Sequence, residues 1–556
     1  MAEERPWLKN YPKGIPANID PDAYPSVCAM LDDTFQKFKK LKAFTCMGKE
    51  MTYAEVDKHS RNFAAYLHSR GLEPGDKIAL MMPNLLQYPI ALFGCLRAGL
   101  IVVNTNPLYT PREMRHQFTD AGVKAIVICE NFAKNLQEIL PDTQIKTILV
   151  TSIGEMLGFP KKLLVNFAVR TLKRMVPKYD LPNVVTFTEA LKQGKKFSVK
   201  EFKQAPDDTI IIQYTGGTTG VSKGAMLTNR NLVANMSQIK AWGSVAFCEG
   251  EEIALSPLPL YHIFALTVNC LALFNLGSLN VLVVNARDIP SVLKEFKRNK
   301  ITMMTGVNTL FNAMLNHKDF AGCDFSQFKF ALGGGMAVQR VVAEKWQSVT
   351  GSPLVEGYGM TESSPVASVN PLDGSGKLGS IGLPVPSTDM RVVDEKGNPL
   401  PVDGIGEIQI SGPQVMKGYY NRPDETAKTI KDGWLSTGDI GKMDADGYFY
   451  IVDRKKDMIL VSGFNVFPNE IEDVVAAHPK VLECAAVGKP DPKSGEVVKL
   501  FVVKKDKSLT EKELIEYCRE NLTGYKVPKE VEFRDELPKS NVGKILRREL
   551  RDDIVG

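Results

Sequence analysis

We predict an α/β protein of several domains from three features of the sequence. The chain has 556 residues, 44% of them hydrophobic and 24% charged, which is typical of a soluble globular protein too long for one core. Strand and helix patterns alternate through its first two thirds, which predicts parallel sheets. The expected fold is a large N-terminal domain, made of two parallel-sheet αβ subdomains and a small β subdomain, followed by a small, mobile α+β C-terminal domain.

Composition excludes several classes of protein. The net charge is only +5 and the chain lacks a long basic run, so we expect no nucleic acid as a partner. Nine cysteines without a CxxC pair are typical of reduced thiols in a cytoplasmic protein, and a zinc site is not expected. The N-terminus lacks the apolar core of a signal peptide, so we infer no secretion.

The first αβ subdomain is predicted from apolar runs that alternate with a helical pattern. The predicted elements are strands over 77–82, 100–103 and 124–129 and a helix over 85–98 that ends at Gly99. Thr110, Pro111 and Glu113 have the spacing of an N-cap, a first helical residue and a capping-box partner. The run 209–212 predicts a further buried strand, and ligands of parallel sheets bind where such strands end.

The second αβ subdomain includes residues 253–286, which contain no Lys, Arg, Asp or Glu. Prolines, asparagines and glycine interrupt this segment, so we predict a loop, a helix over 264–274 and a buried strand over 280–284. The apolar helix is shorter than the ~20 residues that a bilayer requires, so we expect protein core rather than a membrane span. Strands over 301–305 and 328–332 follow.

From about residue 380 the pattern changes to short strands and turns, with strands over 390–393, 406–410 and 448–452. Beyond a charged linker, DRKKD, the predicted elements are helices over 470–477 and 511–521 and strands over 484–487, 497–503 and 531–533. We therefore assign 1–455 to the N-terminal domain, with αβ subdomains over about 40–380 and the β subdomain over about 380–452. The C-terminal domain is 456–556.

Residues 161–178 combine apolar side chains at helical spacing with six Lys or Arg residues. Two interpretations stay open: a helix lying on a membrane surface, which would associate the protein with the inner face of the cell membrane, and an ordinary surface helix packed on its own domain. A homodimer is also left open.

The sequence YTGGTTGVSKG at Tyr214–Gly224 predicts an anion-binding loop. Glycines let backbone N–H groups approach phosphate oxygens closely, hydroxyl groups add donors, and Lys223 adds a positive charge. A Walker P-loop requires GxxxxGK followed by Ser or Thr, and here Gly224 follows the lysine, so that motif is absent. A solvated Gly/Thr turn is the alternative.

Four other polar strings have the character of binding loops, although each has an ordinary structural explanation. They are YGMTE at 358–362, STGD at 436–439, DRKKD at 453–457 and PKSNVGK at 538–544.

Together these strings closely resemble the signature series of the acyl-adenylate-forming enzymes, the superfamily of acyl-CoA ligases, luciferases and peptide-synthetase adenylation domains. The resemblance covers nearly the whole chain in the same order. Four longer segments look like the bacterial long-chain fatty acid–CoA ligase family: 83–113, 257–267, 453–475 and 536–550. The resemblance implies that ATP activates a fatty acid as acyl-AMP, that CoA then takes the acyl group, and that Mg²⁺ is the cofactor.

The same resemblance implies roles for individual residues. The catalytic residues are Lys544, Lys223, His262 and Glu362, with Thr215 and Glu362 near the metal. ATP or AMP is bound by Tyr214, Thr215, Gly216, Gly217, Thr218, Thr219, Gly220, Lys223, Gly333, Gly334, Gly335, Glu356, Gly357, Tyr358, Gly359, Thr361, Asp439 and Arg454. The acyl group is bound by His262, Phe264, Leu266, Gly306, Val307 and Asn308, and CoA by Ser462 and Gly463. Lys456 is the hinge about which the C-terminal domain turns.

Alternative functions remain. A fatty-acyl-AMP ligase, another acyl- or aryl-CoA ligase, or a luciferase-like oxygenase shares the first half-reaction. The chain ends 12 residues after Lys544 without a carrier domain, which favours free CoA as acceptor. A non-catalytic fatty-acid-binding or membrane-recruitment protein is the alternative of a different class, and the intact set of polar site residues argues against it.

Overall fold

The structure, a computed structural model, describes residues 5–200, 202–215, 222–540 and 542–555. Within these ranges the chain forms four β-sheets, two large and mainly parallel and two small. This arrangement confirms the predicted α/β class, with a large N-terminal domain and a smaller C-terminal domain.

The first large sheet is parallel in its centre and antiparallel at both edges. Its strands, in spatial order, are Leu383–Pro384, Val366–Val369, Leu354–Gly359, Phe330–Gly333, Met303–Gly306, Ile253–Ser256, Leu279–Leu282, Lys42–Cys46 and Lys49–Thr52. From the sequence, the second αβ subdomain was predicted to start with the uncharged segment 253–286. The hairpin 42–52 also belongs to it, because Phe44 pairs with Asn280 in parallel register.

The second large sheet carries the glycine-rich loop. Its strands, in spatial order, are Gly418–Tyr419, Lys223–Thr228, Thr209–Thr215, Ile101–Asn104, Lys77–Met81, Val123–Cys129, Thr147–Thr151 and Val185–Thr186. The predicted strand at 209 extends to Thr215 and turns back as an antiparallel hairpin in which Thr215 pairs with Lys223. The loop therefore follows the carboxyl end of the strand Thr209–Thr215, as predicted.

The two small sheets follow along the chain. The β subdomain contains Asp389–Val393, Gly406–Ser411, Ile430–Lys431, Trp434–Met443 and Phe449–Arg454, all antiparallel. The C-terminal sheet contains Ile459–Val461, Phe464–Val466, Val481–Asp491, Gly495–Lys504 and Glu530–Arg534. In these two small sheets, the strands that were predicted are longer than expected, because pairing continues past the apolar run that marks each strand.

Helices cover the sheets. The α-helices are Val27–Phe38, Tyr53–Ser69, Gln87–Arg97, Pro111–Ala121, Ala133–Ile139, Lys161–Phe167, Phe187–Gly194, Asn229–Gly243, Ile263–Ala265, Ile289–Arg298, Asn308–Leu315, Arg340–Thr350, Pro423–Thr429, Pro468–Ala476, Glu511–Asn521 and Arg547–Val555. The predicted capping box is present, since Glu113 N–H donates to Thr110 Oγ1 at 3.3 Å and Thr110 N–H donates to Glu113 Oε2 at 2.8 Å.

The uncharged segment 253–286 forms protein core, as predicted. The helix that begins at Ile263 continues as a π-helix over Leu266–Leu273, and every residue of that π-helix is buried. The strand Leu279–Leu282 lies inside the first large sheet. Among the described residues, no helix is long and apolar enough to cross a bilayer.

The helix Lys161–Phe167 packs with its apolar side chains outward. Leu164 and Leu172 are 66% and 70% exposed, and Phe167 is also exposed. Two residues make the buried contacts: Val169 is buried, and Asn166 accepts from Gly154 N–H at 2.8 Å and donates to Ser152 Oγ at 2.9 Å. The segment therefore packs on its own domain through Asn166 and Val169 while its larger apolar side chains are exposed, so neither interpretation is contradicted.

Candidate active site

The candidate site, which we call the pocket, lies where two parallel strands of the first large sheet end. Gly306 and Gly333 pair at the carboxyl ends of their strands, and the turn Gly333–Gly335 follows. Gly335 has φ +78°, and a Cβ atom there would lie 3.2 Å from Lys544 Cε. Because a side chain would be strained and would also crowd the lysine, this turn requires glycine. The sequence prediction brought these glycines and Lys544 to one site, and the structure brings them together.

Lys544 reaches this pocket because the C-terminal domain docks beside it. Thr309 Oγ1 donates to Gly543 O at 2.9 Å, and Asn312 Nδ2 donates to Leu482 O at 2.9 Å. Burial and, to a smaller extent, the nearby Arg454 guanidinium lower the pKa of Lys544 to about 8, although Asp439 and Glu362 act in the opposite direction. The pocket thus contains a desolvated ammonium group close to two carboxylates.

Tyr358, Asp439 and Arg454 form a polar group on the next side of the pocket. The Tyr358 hydroxyl donates to Asp439 Oδ2 at 2.6 Å, and Arg454 Nε lies 3.6 Å from Asp439 Oδ1. Asp439 and Arg454 are opposite residues of one antiparallel strand pair. Burial raises the pKa of Tyr358 well above its usual value, with Asp439 adding to the effect, so the hydroxyl remains a neutral donor.

Glu362 is a buried carboxylate in the turn that follows the strand Leu354–Gly359. Burial raises its pKa, while the hydrogen bond from Tyr419 and the charge of Lys223 oppose that rise. Tyr419 O–H donates to Glu362 Oε1 at 2.7 Å, and Lys223 Nζ lies 4.5 Å from the centre of the Tyr419 ring. Tyr419 was not predicted as a site residue, because the surrounding sequence GYYNRP does not indicate a contact with a residue 57 positions earlier.

His262 caps the helix that begins at Ile263. Its Nδ1 accepts from Phe264 N–H at 3.4 Å, which leaves Nε2 as the nitrogen that carries hydrogen in the neutral ring. Burial, together with the nearby charge of Lys544, lowers the pKa of His262 to about 3. Because this pKa of about 3 already includes the effects of both burial and Lys544, the ring is neutral at pH 7 and can act as a hydrogen-bond donor.

The glycine-rich loop is predicted to contact phosphate, and part of it lies outside the described residues: Gly216, Gly217, Thr218, Thr219 and Gly220. Thr215 and Lys223 flank this part as a strand pair. The Tyr214 side chain points elsewhere, since its hydroxyl donates to Asp120 Oδ2 at 2.6 Å. Tyr214 therefore anchors the strand, and any contact it makes with a nucleotide must come from its backbone.

The remaining predicted nucleotide residues belong to the strand and turn that carry Tyr358 and Glu362. Glu356 Oε1 accepts from Val338 N–H at 3.1 Å, and burial raises the pKa of Glu356 to about 8. A Cβ atom at Gly359 would lie 1.8 Å from Pro365 O, so this position also requires glycine. Gly357 pairs with Val369 next to it, and Thr361 begins the Glu362 turn.

The predicted acyl residues lie around the same strand ends. A Cβ atom at Gly334 would be 3.2 Å from Phe264 Cε1, so the Phe264 ring lies against the glycine turn. Leu266 and Val307 are buried. Asn308 links the starts of two helices, Asn308–Leu315 and Arg340–Thr350. Gln339 N–H donates to its Oδ1 at 3.0 Å, and its Nδ2 donates to Gln339 Oε1 at 3.0 Å.

The predicted CoA residues are not brought into this pocket. Ser462 and Gly463 have φ +51° and +84° and form the exposed tip of the hairpin between Ile459–Val461 and Phe464–Val466. Lys544, in contrast, is half-buried and lies against Gly335. This arrangement of the domains therefore presents Lys544 to the pocket and leaves the hairpin tip in solvent.

The predicted hinge Lys456 lies in a tight turn, with Asp457 N–H donating to Arg454 O at 2.9 Å. Arg547 connects the residues on either side of it. Its Nη1 lies 3.3 Å from Asp453 Oδ1 and 3.5 Å from Asp457 Oδ2. Burial raises the pKa of the Asp453 carboxyl group to about 6. The contacts of Arg547 with the hinge were not predicted, because nothing in the sequence distinguishes this arginine from the others in the C-terminal helix.

The oxygen donors of this pocket suit a hard cation shared with a phosphate. Glu362 offers a buried carboxylate and Thr215 a hydroxyl group, which are ligand types that Mg²⁺ accepts. In the described part of the chain, no group of three or more His, Cys, Asp or Glu side chains could hold a metal ion. The donor set therefore fits an ion bound mainly by substrate oxygens and water, with one or two protein ligands.

Comparison with known proteins places this geometry in a family. The model of the AMP-binding enzymes matches residues 31–420, and the model of the AMP-binding enzyme C-terminal domain matches residues 470–544. The chain belongs to the AMP-binding enzymes. This AMP-binding enzyme is 56% identical over 553 residues to the long-chain-fatty-acid–CoA ligase of Yersinia pestis, which covers 99% of the chain and 98% of that relative.

Solved structures share its fold. ATP-bound MatB from Rhodopseudomonas palustris is 28% identical, with a TM-score of 0.81 over 95% of this chain and 98% of MatB. The anthranilate CoA ligase AuaEII in complex with anthranoyl-AMP is 23% identical, with a TM-score of 0.86 over 97% of this chain and 99% of AuaEII. The second similarity concerns the fold alone.

Proposed function

We propose that this AMP-binding enzyme is a long-chain fatty acid–CoA ligase, which converts a fatty acid, ATP and CoA into acyl-CoA, AMP and pyrophosphate. Relatives with 55–56% identity over nearly the full length carry that name. The observation that best supports a two-step mechanism is the location of Lys544: this lysine of the C-terminal domain is half-buried against Gly335 of the other domain.

In the first step, a carboxylate oxygen of the fatty acid attacks the α-phosphorus of ATP. The bond from that phosphorus to the bridging oxygen of the β-phosphate breaks, and pyrophosphate leaves with its electron pair. Because two anions must meet, cations are needed where charge develops. Lys544 bridges the carboxylate and the α-phosphate, while Lys223 and the loop beside it bind the β- and γ-phosphates. Neutral His262 donates to the fatty acid carboxylate.

The nucleotide is oriented by the group around Asp439. Its carboxylate accepts hydrogen bonds from the two ribose hydroxyls, and Arg454 contacts ribose or phosphate. Tyr358 stacks on the adenine ring, while its hydroxyl holds Asp439 in position at 2.6 Å. Thr215 and Glu362 would hold Mg²⁺, which would neutralise phosphate charge when bound.

In the second step, the sulfur of CoA attacks the acyl carbon, the bond between that carbon and the AMP oxygen breaks, and the thiol proton passes to solvent. Lys544 must first leave the pocket, so we propose that the C-terminal domain turns about Lys456 and presents Ser462 and Gly463 to the site. The exposure of these two residues in the present arrangement supports the need for such a rotation.

The decisive experiment measures conversion of ATP to AMP across fatty acid chain lengths, with and without CoA. We expect AMP to appear only with fatty acid, most rapidly with long chains, and to accumulate over many turnovers only when CoA is present. Production of ADP, or AMP release independent of fatty acid, would contradict the proposal. Equal turnover without CoA would favour an acyl-AMP ligase that uses another acceptor.

We also propose that the segment 159–178 binds an anionic membrane surface, from which a poorly soluble fatty acid can be taken up. We call its exposed large apolar side chains the apolar patch, and they are Phe159, Leu163, Leu164, Phe167, Leu172 and Met175. Lys173, Arg174 and Lys178 next to it are exposed as well. Apolar side chains beside exposed cations match the chemistry of an anionic lipid interface.

Replacing Leu164 and Phe167 together by glutamine should weaken binding to phosphatidylglycerol vesicles by about tenfold or more, because each buried apolar side chain contributes about 1.5–3 kcal/mol. Vesicle co-sedimentation measures this change. Val402→Gln with Ile405→Gln is the matched control, since both of these side chains are exposed elsewhere. Equal loss in both double variants, or no loss in the first, would show that the apolar patch does not bind lipid.

A further inference from the structure

Lys223, the proposed phosphate ligand, already has an anionic partner. Its Nζ lies 3.0 Å from Glu425 Oε2, in the helix Pro423–Thr429. The Tyr419 ring, whose hydroxyl holds Glu362, covers the same ammonium group. A carboxylate of this chain therefore lies at the cation that, under the proposed function, binds the polyphosphate of ATP.

The Glu425 carboxylate is divided between two lysines. Its Oε1 accepts from Lys428 Nζ at 3.0 Å, while its Oε2 accepts from Lys223. The hydrogen bonds from Lys428 and Lys223 lower the pKa of Glu425, so it is ionised at neutral pH. If a phosphate binds Lys223 and displaces Glu425, the Glu425 carboxylate still has Lys428 as a partner.

The backbone that carries Glu425 is held independently of this ion pair. Thr426 Oγ1 accepts from Tyr419 N–H at 2.9 Å and donates to Arg422 O at 3.0 Å. Arg422 Nη2 in turn donates to Asp120 Oδ1 at 2.8 Å. Removing the Glu425 charge should therefore leave the helix and the strand next to it in place.

We propose that Glu425 is a resident counter-ion of Lys223, which the polyphosphate of ATP or free pyrophosphate must displace. This inference rests on the proposed role of Lys223. Glu425 holds the lysine oriented before ATP binds, and its negative charge then weakens binding of the β- and γ-phosphates and aids release of pyrophosphate. AMP lacks these phosphates, so its affinity should not depend on Glu425.

The variant Glu425→Gln tests this proposal, because glutamine keeps the shape and loses the charge. We expect the KM for ATP and the inhibition constant of pyrophosphate both to fall by about three- to fivefold, the effect of one partly exposed ion pair. The kcat should stay within about twofold, since this carboxylate does not touch the reacting atoms. The Kd for AMP should not change.

Two further variants make the result specific. Asp424→Asn removes the same charge one residue earlier, on an exposed side chain, and should leave the KM for ATP unchanged. Lys428→Gln removes the second partner, so Glu425 should compete more strongly for Lys223 and the KM for ATP should rise. In the double variant with Glu425→Gln this rise should disappear, because it acts through the Glu425 charge.

Three results would overturn the proposal: an unchanged KM for ATP in Glu425→Gln, a raised KM, or an equal change in the Kd for AMP. Lys223→Met separates this failure from failure of the proposed function. If Lys223→Met raises the KM for ATP while Glu425→Gln has no effect, only the counter-ion role is wrong. If Lys223→Met leaves the KM unchanged, the phosphate role of Lys223 is wrong and the counter-ion role falls with it.

Discussion

Lys544→Ala is expected to reduce acyl-AMP formation by at least about 10²–10³-fold, the usual loss when one preorganised charge stabiliser is removed. The reason is that this ammonium group is desolvated against Gly335, so it costs no further reorganisation when two anions meet beside it. Thioester formation from supplied acyl-AMP and CoA should continue, because the proposed second step takes place after Lys544 has left. Separate assays of pyrophosphate release and of acyl-CoA formation measure the two steps.

Lys539→Ala is the matched control for this experiment. Lys539 lies in the same segment, but its Nζ pairs with Glu483 of its own domain at 2.7 Å. Its removal should leave both half-reactions nearly unchanged. Equal loss of both half-reactions in Lys544→Ala would mean that the lysine supports the fold or CoA binding, and the assignment to adenylation would be abandoned.

Glu362→Gln is expected to reduce adenylation by about 10²-fold or more at ordinary Mg²⁺ concentrations, and a large excess of Mg²⁺ should restore only part of it, because a metal ion in the site is worth several kcal/mol of charge stabilisation. Glutamine keeps the acceptor for Tyr419 O–H, which lies 2.7 Å from Glu362 Oε1, so the turn should remain folded. Initial rates against Mg²⁺ concentration measure the effect. Unchanged rates at low Mg²⁺ would rule out the metal role.

The same residue predicts a pH dependence. Burial raises the pKa of Glu362, and only the ionised carboxylate can bind a cation. Adenylation should therefore be lost as pH falls through this raised pKa, at a higher pH than for an ordinary glutamate. Because glutamine does not titrate, the acid limb of the pH–rate profile should be absent in Glu362→Gln. An acid limb shared by both proteins would assign it to another group.

Much of the local structure could be predicted from the sequence. The helix Glu511–Asn521 has the predicted bounds, and the capping residues Thr110 and Glu113 have the predicted roles. Both predictions depend on residues within a few positions of one another, and at such short separations the backbone geometry determines which residues form contacts. The uncharged segment 253–286 was correctly assigned to the core because its helix is too short for a bilayer.

Side-chain partners that are distant along the chain could not be predicted. Tyr419 reaches Glu362, and Glu425 reaches Lys223, because the strand Gly418–Tyr419 joins the edge of a sheet formed much earlier in the sequence. The exposure of the apolar side chains of the helix Lys161–Phe167 could not be predicted either. The helical period of these residues is the same whether they face the protein or the solvent.

The sequence by itself determined the class of the fold, the order of its elements and the loops that carry polar residues, because these depend on local periodicity and on short motifs. Only the tertiary structure decided that Lys544 lies half-buried beside Gly335, that Arg547 connects the two sides of the hinge, and that Glu425 forms an ion pair with Lys223. Such contacts depend on how domains and sheet edges pack, and packing joins residues that no local pattern relates.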